Sequence, residues 1–135
     1  MTELRYLADT HILVWWMAEP RKLSGPQIKV LEALEERKEP IGFAAISLWE
    51  LARMHQAGLL DTVDPLEIFL HGIETHPLIA VIPLSATIAA ESVALPEGFH
   101  KDPADRLIVA TSRCHNLRLL TADKQIRKWG KVPLV

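Results

Sequence analysis

The sequence predicts an α/β fold in which a small parallel β-sheet is covered by helices on both faces. One observation is the order of the elements, because segments with strand character alternate along the chain with segments of helical periodicity. The other is that the strand segments are apolar without clean alternation, which is typical of strands buried on both faces. Ligands of such sheets bind at the carboxyl ends of the strands, so we expect a functional site at that edge.

The chain opens with one predicted strand and two predicted helices. Residues 4–8 form a short strand that ends at Asp9. Residues 12–18 are apolar on all sides, and a helix of that kind is buried in the core or in an interface. Ser24 caps a helix that runs to about Lys38 and repeats apolar residues at helical spacing.

The middle of the chain continues the alternation. Residues 40–44 predict a second strand, and Ser47 opens a helix that Gly58 ends. Pro65 stands at the start of a further helix, where proline is favoured. Residues 78–82 predict the third strand.

The last third adds three helices and one clear strand. Ser85 caps an alanine-rich helix, and Pro103 begins the next one. Residues 117–121 predict the fourth strand, residues 123–129 a short helix, and residues 132–135 a last strand.

Length and charge limit the organisation of the protein. We expect residues 1–135 to form one domain, because this length is sufficient to bury a real core. The net charge is -2, so the chain as a whole has no basic surplus that would draw it to nucleic acid. Residues 100–131, however, hold eight Lys or Arg against three acids. This stretch is either a solvated helix face or a basic surround for a small acidic site.

Three features favour the cytoplasm. Cys114 is the single cysteine, so no internal disulfide can form. The first residues lack the pattern of a signal peptide. The longest apolar run, residues 12–18, is far too short to span a membrane. We therefore expect a cytoplasmic protein without a membrane partner.

Four acids follow strand ends or open helices: Asp9, Glu50, Asp105 and Asp123. Each has a capping explanation, since aspartate and capping boxes are favoured at helix starts. Asp9 and Asp123 could cap the helices that follow them. Glu50 could close a capping box begun by Ser47, and Asp105 could close a second box.

Taken together, the acids favour a metal site. Ser24 and Ser85 cap helices where nothing more than a cap is needed, whereas the acids lie where the predicted topology brings strand ends together. Carboxylates that converge in a partly buried site repel one another, and bound Mg²⁺ or Mn²⁺ would relieve that repulsion and activate a water against a phosphate. Asp105 would then be a ligand, while Asp102 would cap its helix and have at most an outer role at the metal.

Several cations have two open interpretations. Arg106 could contact a phosphate or form a salt bridge to a neighbouring acid. Four further cations could grip an RNA backbone or form an exposed helix face: Lys101, Lys124, Arg127 and Lys128.

We predict structural roles for the histidines and tryptophans. No His or Cys spacing supports a zinc site, so we interpret His11 and His100 as structural. Trp15 and Trp16 are expected in the core or in a subunit interface, and Trp49 in the core, because it stands inside an apolar run.

Four motifs resemble a known family: "LADTHILVWW" (residues 7–16), "AAISLWELA" (44–52), "HKDPADRLIVAT" (100–111) and "LLTADKQI" (119–126). In this order and spacing they are similar to the motifs of PIN-domain ribonucleases, and among these to the VapC toxins of bacterial toxin–antitoxin pairs. The resemblance covers nearly the whole chain.

The resemblance implies a three-layer α/β/α fold with a small central parallel sheet. It implies an endoribonuclease that depends on Mg²⁺ or Mn²⁺ and leaves a 5′-phosphate and a 3′-hydroxyl. It also implies a homodimer and a cognate antitoxin that occupies the active site.

Carried over residue by residue, the resemblance assigns catalytic and metal-binding roles to four acids: Asp9, Glu50, Asp105 and Asp123. Thr10 and Thr121 match hydroxyl positions beside them. Some relatives have a further acid after the last aspartate, whereas Lys124 and Gln125 follow here.

Two other classes of function are weighed against the nuclease. One is a non-catalytic module that binds an antitoxin or a nucleic acid, which the intact set of acids disfavours. The other is a phosphoacceptor signalling domain, which needs an aspartate at the end of the third strand. The corresponding residues 80–85 contain none.

Overall fold

A parallel β-sheet, with four strands in the described part of the chain, organises the protein. The computed structural model describes residues 3–135. The strands are β1 (Tyr6–Ala8), β2 (Ile41–Ala44), β3 (Ile79–Ile82) and β4 (Arg118–Leu120). They lie in the order β3-β2-β1-β4, with every pair parallel. The carboxyl ends of β1, β2 and β4 therefore meet at one edge.

Within residues 3–135, seven α-helices connect and cover the strands: α1 (Thr10–Ala18), α2 (Gly25–Arg37), α3 (Ala45–Gln56), α4 (Leu66–Glu74), α5 (Ala86–Val93), α6 (Pro103–His115) and α7 (Lys124–Trp129). A 3₁₀ turn, Pro20–Lys22, follows α1. None of the helices within residues 3–135 has the length and apolar character needed to cross a membrane.

The sheet separates two apolar cores. Leu7 and Leu119 enter the core formed with α5, α6 and α7, whereas Ala8 and Leu120 enter the core formed with α1 to α4. Successive residues of a strand point to opposite faces, which is why an apolar run without alternation suits a sheet covered on both sides. The predicted three-layer α/β/α architecture is confirmed.

Some predicted boundaries are wrong. Helix α3 begins at Ala45 rather than at Ser47, which is fully buried inside the helix, so Ser47 does not open a capping box with Glu50. Residues 132–135 do not form a full strand within the described chain. They join the sheet only through one parallel bridge, between Leu119 and Leu134.

The two apolar segments with expected burial differ in outcome. Ile12 and Leu13 of α1 are buried in the core, whereas Met17 is exposed in the single chain, so burial of Met17 in an interface stays a prediction. Trp49 is not a core residue, because 51% of its surface is exposed. The apolar residues of α3 lie on both its buried side, which holds Leu51, and its solvent side, so the sequence pattern did not indicate which of them are buried.

Gly42 is required by the close approach of β1 and β2. A Cβ atom at this position would lie 2.9 Å from the backbone oxygen of Tyr6 and within 3.3 Å of the side chains of Ile82 and Leu7. Backbone atoms of a central strand cannot move aside cheaply.

We predict that Gly42→Ala lowers the free energy of unfolding by about 1–3 kcal/mol, because the added methyl group overpacks the core. Gly72→Ala is the matched control, since Gly72 lies in the last turn of α4 and nothing lies within 4 Å of a Cβ there. That change should stabilise the protein by about 0.5–1 kcal/mol through helix propensity. Urea unfolding of both variants measures the two shifts, and equal shifts would contradict the packing argument.

Candidate active site

The parallel sheet brings the four sequence-predicted acids to one edge. Asp9 directly follows β1, Glu50 lies in the helix that follows β2, and Asp123 lies just beyond β4. Asp105 stands in the first turn of α6, which packs against α3. The edge is the one at which ligands bind in parallel sheets.

Asp9 is the most buried of the acids, with 3% of its surface exposed. Its Oδ1 accepts a hydrogen bond from the Thr10 backbone N at 2.8 Å, so Asp9 does cap α1. Its Oδ2 accepts from Thr121 Oγ1 at 2.7 Å. Both carboxylate oxygens are thus held by the chain, and the side chain is fixed at the end of the central strand.

Thr10 connects α1 to Glu50. The Thr10 Oγ1 atom lies 2.6 Å from Glu50 Oε1 and 2.8 Å from Ser47 Oγ. A hydroxyl has one proton and an ionised carboxylate only accepts, so Thr10 donates to Glu50 while Ser47 donates to Thr10. This contact explains why Ser47 is buried inside α3 instead of capping it.

Thr121 connects Asp9 to Asp123. Its hydroxyl donates to Asp9 and accepts from the Asp123 backbone N at 3.0 Å. Asp123 Oδ1 in turn accepts from the backbone N atoms of Gln125 and Ile126, so the capping interpretation of Asp123 is also correct. The cap fixes one oxygen of Asp123.

Gln27 fixes the backbone at this edge of the sheet. It closes the capping box of α2 with Ser24, and its Nε2 donates to the Thr121 backbone oxygen at 3.1 Å. Arg127 donates to the same oxygen at 3.0 Å. Sequence reasoning missed Gln27, whose position three residues after Ser24 signals a capping box and nothing about the sheet edge.

His11 has the structural role that was predicted. Its Nε2 accepts from the Ala122 backbone N at 2.9 Å, so the ring proton of the neutral form is on Nδ1, which lies 3.6 Å from Asp9 Oδ2. Burial lowers the pKa of His11, which favours that neutral form. His11 thereby ties the segment after β4 to α1.

Asp105 does not close a capping box. Asp102 caps α6 by accepting from the backbone N atoms of Ala104 at 2.9 Å and Asp105 at 3.3 Å. The Asp105 carboxylate is turned to His100, whose Nε2 donates to Oδ2 at 2.7 Å. The His100 ring stacks on Phe99 with 4.4 Å between ring centroids.

Arg106 anchors the segment that carries His100. It donates to the backbone oxygens of Ser92 at 2.8 Å and His100 at 3.1 Å, and to that of Phe99 at 3.5 Å. No salt bridge of Arg106 is present among residues 3–135, so that interpretation is wrong for the described chain. Its contact with a phosphate stays a prediction.

The charges of the acids act on one another. Burial raises the pKa of Asp9 to about 6, and the charges of Asp105 and Asp123 add to that rise. Burial is also the largest cause of the raised pKa values of Glu50 and Asp105, with nearby carboxylates again contributing. Mutual repulsion of this kind is the electrostatic property that a bound cation relieves.

The carboxylate groups of the site have the right chemistry to bind a divalent cation, but they do not stand close enough together to form a complete ligand set. Carboxylate oxygen is the ligand that Mg²⁺ and Mn²⁺ prefer. However, no three His, Cys, Asp or Glu side chains of residues 3–135 stand together as a ready ligand set. The described residues thus supply negative charge and ligand oxygens for a cation, but not a complete coordination site.

The comparison with known proteins defines the class. The PIN domain family's sequence profile matches residues 6–132, and the chain belongs to this family. The sequence is 36% identical over 121 residues to Ribonuclease VapC22 of Mycobacterium tuberculosis (strain ATCC 25618 / H37Rv), a match that covers 90% of this chain and 88% of that protein. The resemblance inferred from the motifs is confirmed.

Solved structures share the fold. VapBC2 from Rickettsia felis, bound to a DNA fragment from their promoter, matches with a TM-score of 0.69 at 18% identity, over 98% of this chain and 97% of that one. A toxin–antitoxin complex from Klebsiella pneumoniae matches with a TM-score of 0.64 at 22% identity, over 96% and 95%. FitAcB from Neisseria gonorrhoeae gives 0.65 at 22% identity, again over 96% and 95%.

We predict that Asp9→Asn stabilises the chelator-treated protein more at pH 7 than at pH 4. The pKa of Asp9 is raised from 3.8 to about 6, so between these values the folded state holds the proton and the unfolded state does not. Stability is therefore lost as pH rises through this window, by about 3 kcal/mol in total. Asparagine lacks the titrating group and escapes that loss.

Urea unfolding of both proteins in EDTA at pH 4 and pH 7 tests this expectation. The difference in unfolding free energy between variant and wild type should grow with pH. A difference that is the same at both pH values would show that Asp9 titrates normally in the folded protein.

Proposed function

We propose that this protein is a metal-dependent endoribonuclease and the toxin of a type II toxin–antitoxin pair, acting in the cytoplasm as one PIN domain over residues 1–135. The observation that carries the proposal is the buried Asp9 carboxylate, whose pKa is raised by burial and by the charges of Asp105 and Asp123. Family membership and the relative named Ribonuclease VapC22 support the same activity.

Four acids would hold Mg²⁺ or Mn²⁺: Asp9, Glu50, Asp105 and Asp123. A bound divalent ion supplies a water of lowered pKa and neutralises charge that develops on a phosphate. The other residues of the site position these acids. Thr10 fixes Glu50, Thr121 fixes Asp9 and the backbone of Asp123, and His100 fixes Asp105.

Asp102 and Arg106 support the site indirectly. Asp102 caps α6 and so fixes the start of the helix that carries Asp105. Arg106 holds the backbone oxygen of His100, the residue that contacts Asp105. Neither side chain needs to contact the substrate to be important.

Asp9→Asn and Asp105→Asn should each lower the cleavage rate at least about 100-fold while the protein stays folded, because each removes a negative charge that would hold the divalent ion, and the ion would neutralise charge on the phosphate. Asp61→Asn is the matched control, since Asp61 is an exposed acid in the loop before α4. Cleavage of total RNA with Mg²⁺ or Mn²⁺, against a chelated sample, measures the effect. Wild-type rates in either site variant would remove that residue from the catalytic set.

A non-catalytic binding module is the second candidate. It is favoured by the absence of a ready three-ligand metal set in residues 3–135. Absence of metal-dependent cleavage by antitoxin-free protein, across several RNA substrates, would support this candidate against the nuclease.

We also propose that a cognate antitoxin, which the family resemblance places at the active site, covers an apolar groove as well. The groove has a volume of about 510 Å³, lies between α1, α2 and α4, and is lined by residues such as Ile12, Trp16, Ile68, Phe69 and Ile73. It opens on the α1–α4 face of the sheet and contains none of the four acids. A structural neighbour named as a toxin–antitoxin complex supports a protein partner for this fold. The homodimer stays a prediction.

Ile68→Asp should weaken antitoxin binding at least about tenfold without changing RNA cleavage, because it places an unpaired charge in the groove. Leu84→Asp is the matched control, since Leu84 has the same 57% exposure as Ile68 but does not line the groove. Calorimetric titration of the antitoxin into each variant measures the affinities. Equal losses in both variants would place the partner elsewhere.

A further inference from the structure

We propose that Trp49 and Arg53 form a stacking site for an unpaired nucleobase of RNA beside the candidate active site. The proposal rests on the proposed ribonuclease function and adds a substrate contact to it. Neither residue is one of the four acids, so variants of this pair leave the proposed metal ligands unchanged.

Trp49 differs from the other tryptophans. The residue is 51% exposed, whereas Trp15, Trp16 and Trp129 pack against the two cores. A single exposed apolar side chain is common in proteins and needs no explanation alone. A flat aromatic surface becomes informative when a second feature gives it a ligand chemistry.

Arg53 is that second feature. Its guanidinium carbon lies 4.9 Å from the centroid of the Trp49 ring, within the range of a cation–π contact. Arg53 is exposed, and no carboxylate of residues 3–135 lies within ion-pair distance of it. The pair therefore offers a planar aromatic surface with an uncompensated positive charge.

The pair lies next to the catalytic candidate Glu50 on α3. Helix residues advance about 100° each, so Arg53 lies about 60° from Glu50 around the helix, and Trp49 lies about 40° further in the same direction. Buried Ser47 and Leu51 lie on the other side of Glu50. An RNA strand that reaches Glu50 and extends away from the core on this flank meets Arg53 and then Trp49.

A single-stranded polyanion suits this surface. Every base has a face that stacks on an aromatic ring or on a guanidinium plane, and the guanidinium charge attracts phosphate. The four nearby carboxylates repel RNA, so a free cation on the same helix is useful for holding it. A protein interface would use the same residue types, and the experiment includes it as an outcome.

The test uses a short RNA that wild-type protein cleaves and a set of copies in which one base at a time near the cleavage point is removed. Trp49→Ala should lower kcat/KM for the intact RNA about 5- to 100-fold, mainly through KM. Trp49→Phe should restore most of the loss. The defect of Trp49→Ala should vanish for one particular abasic RNA, because that copy lacks the stacked base.

Val93→Ala is the control, since Val93 is 80% exposed on α5 and should leave all rates unchanged. Binding of the same RNAs in EDTA, measured by fluorescence anisotropy, tests the contact without cleavage. If the wild-type protein binds RNA but never cleaves it, the nuclease proposal fails. The stacking site can still be tested in that case, because the binding experiment does not depend on cleavage.

Two results would overturn the stacking site. One is that the Trp49→Ala variant binds and cleaves the intact RNA as well as the wild-type protein does. The other is that Trp49→Ala lowers kcat/KM equally for every abasic RNA, or that it weakens only antitoxin binding or self-association. Either would assign Trp49 to the general surface or to a protein interface.

Discussion

The Asp9 carboxylate is buried at the carboxyl end of the central strand, and its two oxygens accept hydrogen bonds from the Thr10 backbone and the Thr121 hydroxyl. Burial of a charge is costly unless it is neutralised, paired or bound to a metal. The raised pKa of Asp9 records that cost. The fold tolerates it because the first residue of α1 and the residue just after β4 hold this side chain, and the rest of the site is arranged around it.

The supporting contacts form two arms that start at the central strand. One arm runs from Thr10, which directly follows Asp9, to Glu50 and Ser47, and joins α1 to α3. The other runs from Thr121 to Asp123, with Gln27 holding the Thr121 backbone. Asp105 belongs to neither arm and is held through His100. The acids are thus fixed from several elements, and a cation would draw together groups that the chain has already oriented.

Helix capping and site chemistry are not exclusive interpretations in this protein. Asp9 and Asp123 both cap helices, and both belong to the candidate site. A capping carboxylate can use one oxygen for backbone N atoms and keep further lone pairs for another partner. Asp102 shows the case in which capping of α6 is sufficient, whereas Asp105, in the same short motif, is not used as a cap and turns to His100.

The sequence by itself determined the order of strands and helices, the parallel sheet buried on both faces, and the acids at its carboxyl edge. These features depend on apolar runs, capping residues and helix starts, which are local in the chain. The tertiary structure alone decided that Ser47 contacts Thr10, that Gln27 reaches Thr121, that Arg106 holds backbone oxygens and that Trp49 faces solvent. Ser47 and Thr10 are 37 residues apart and Gln27 and Thr121 are 94 apart, and side chains at such separations meet only when the sheet order and helix packing have been fixed.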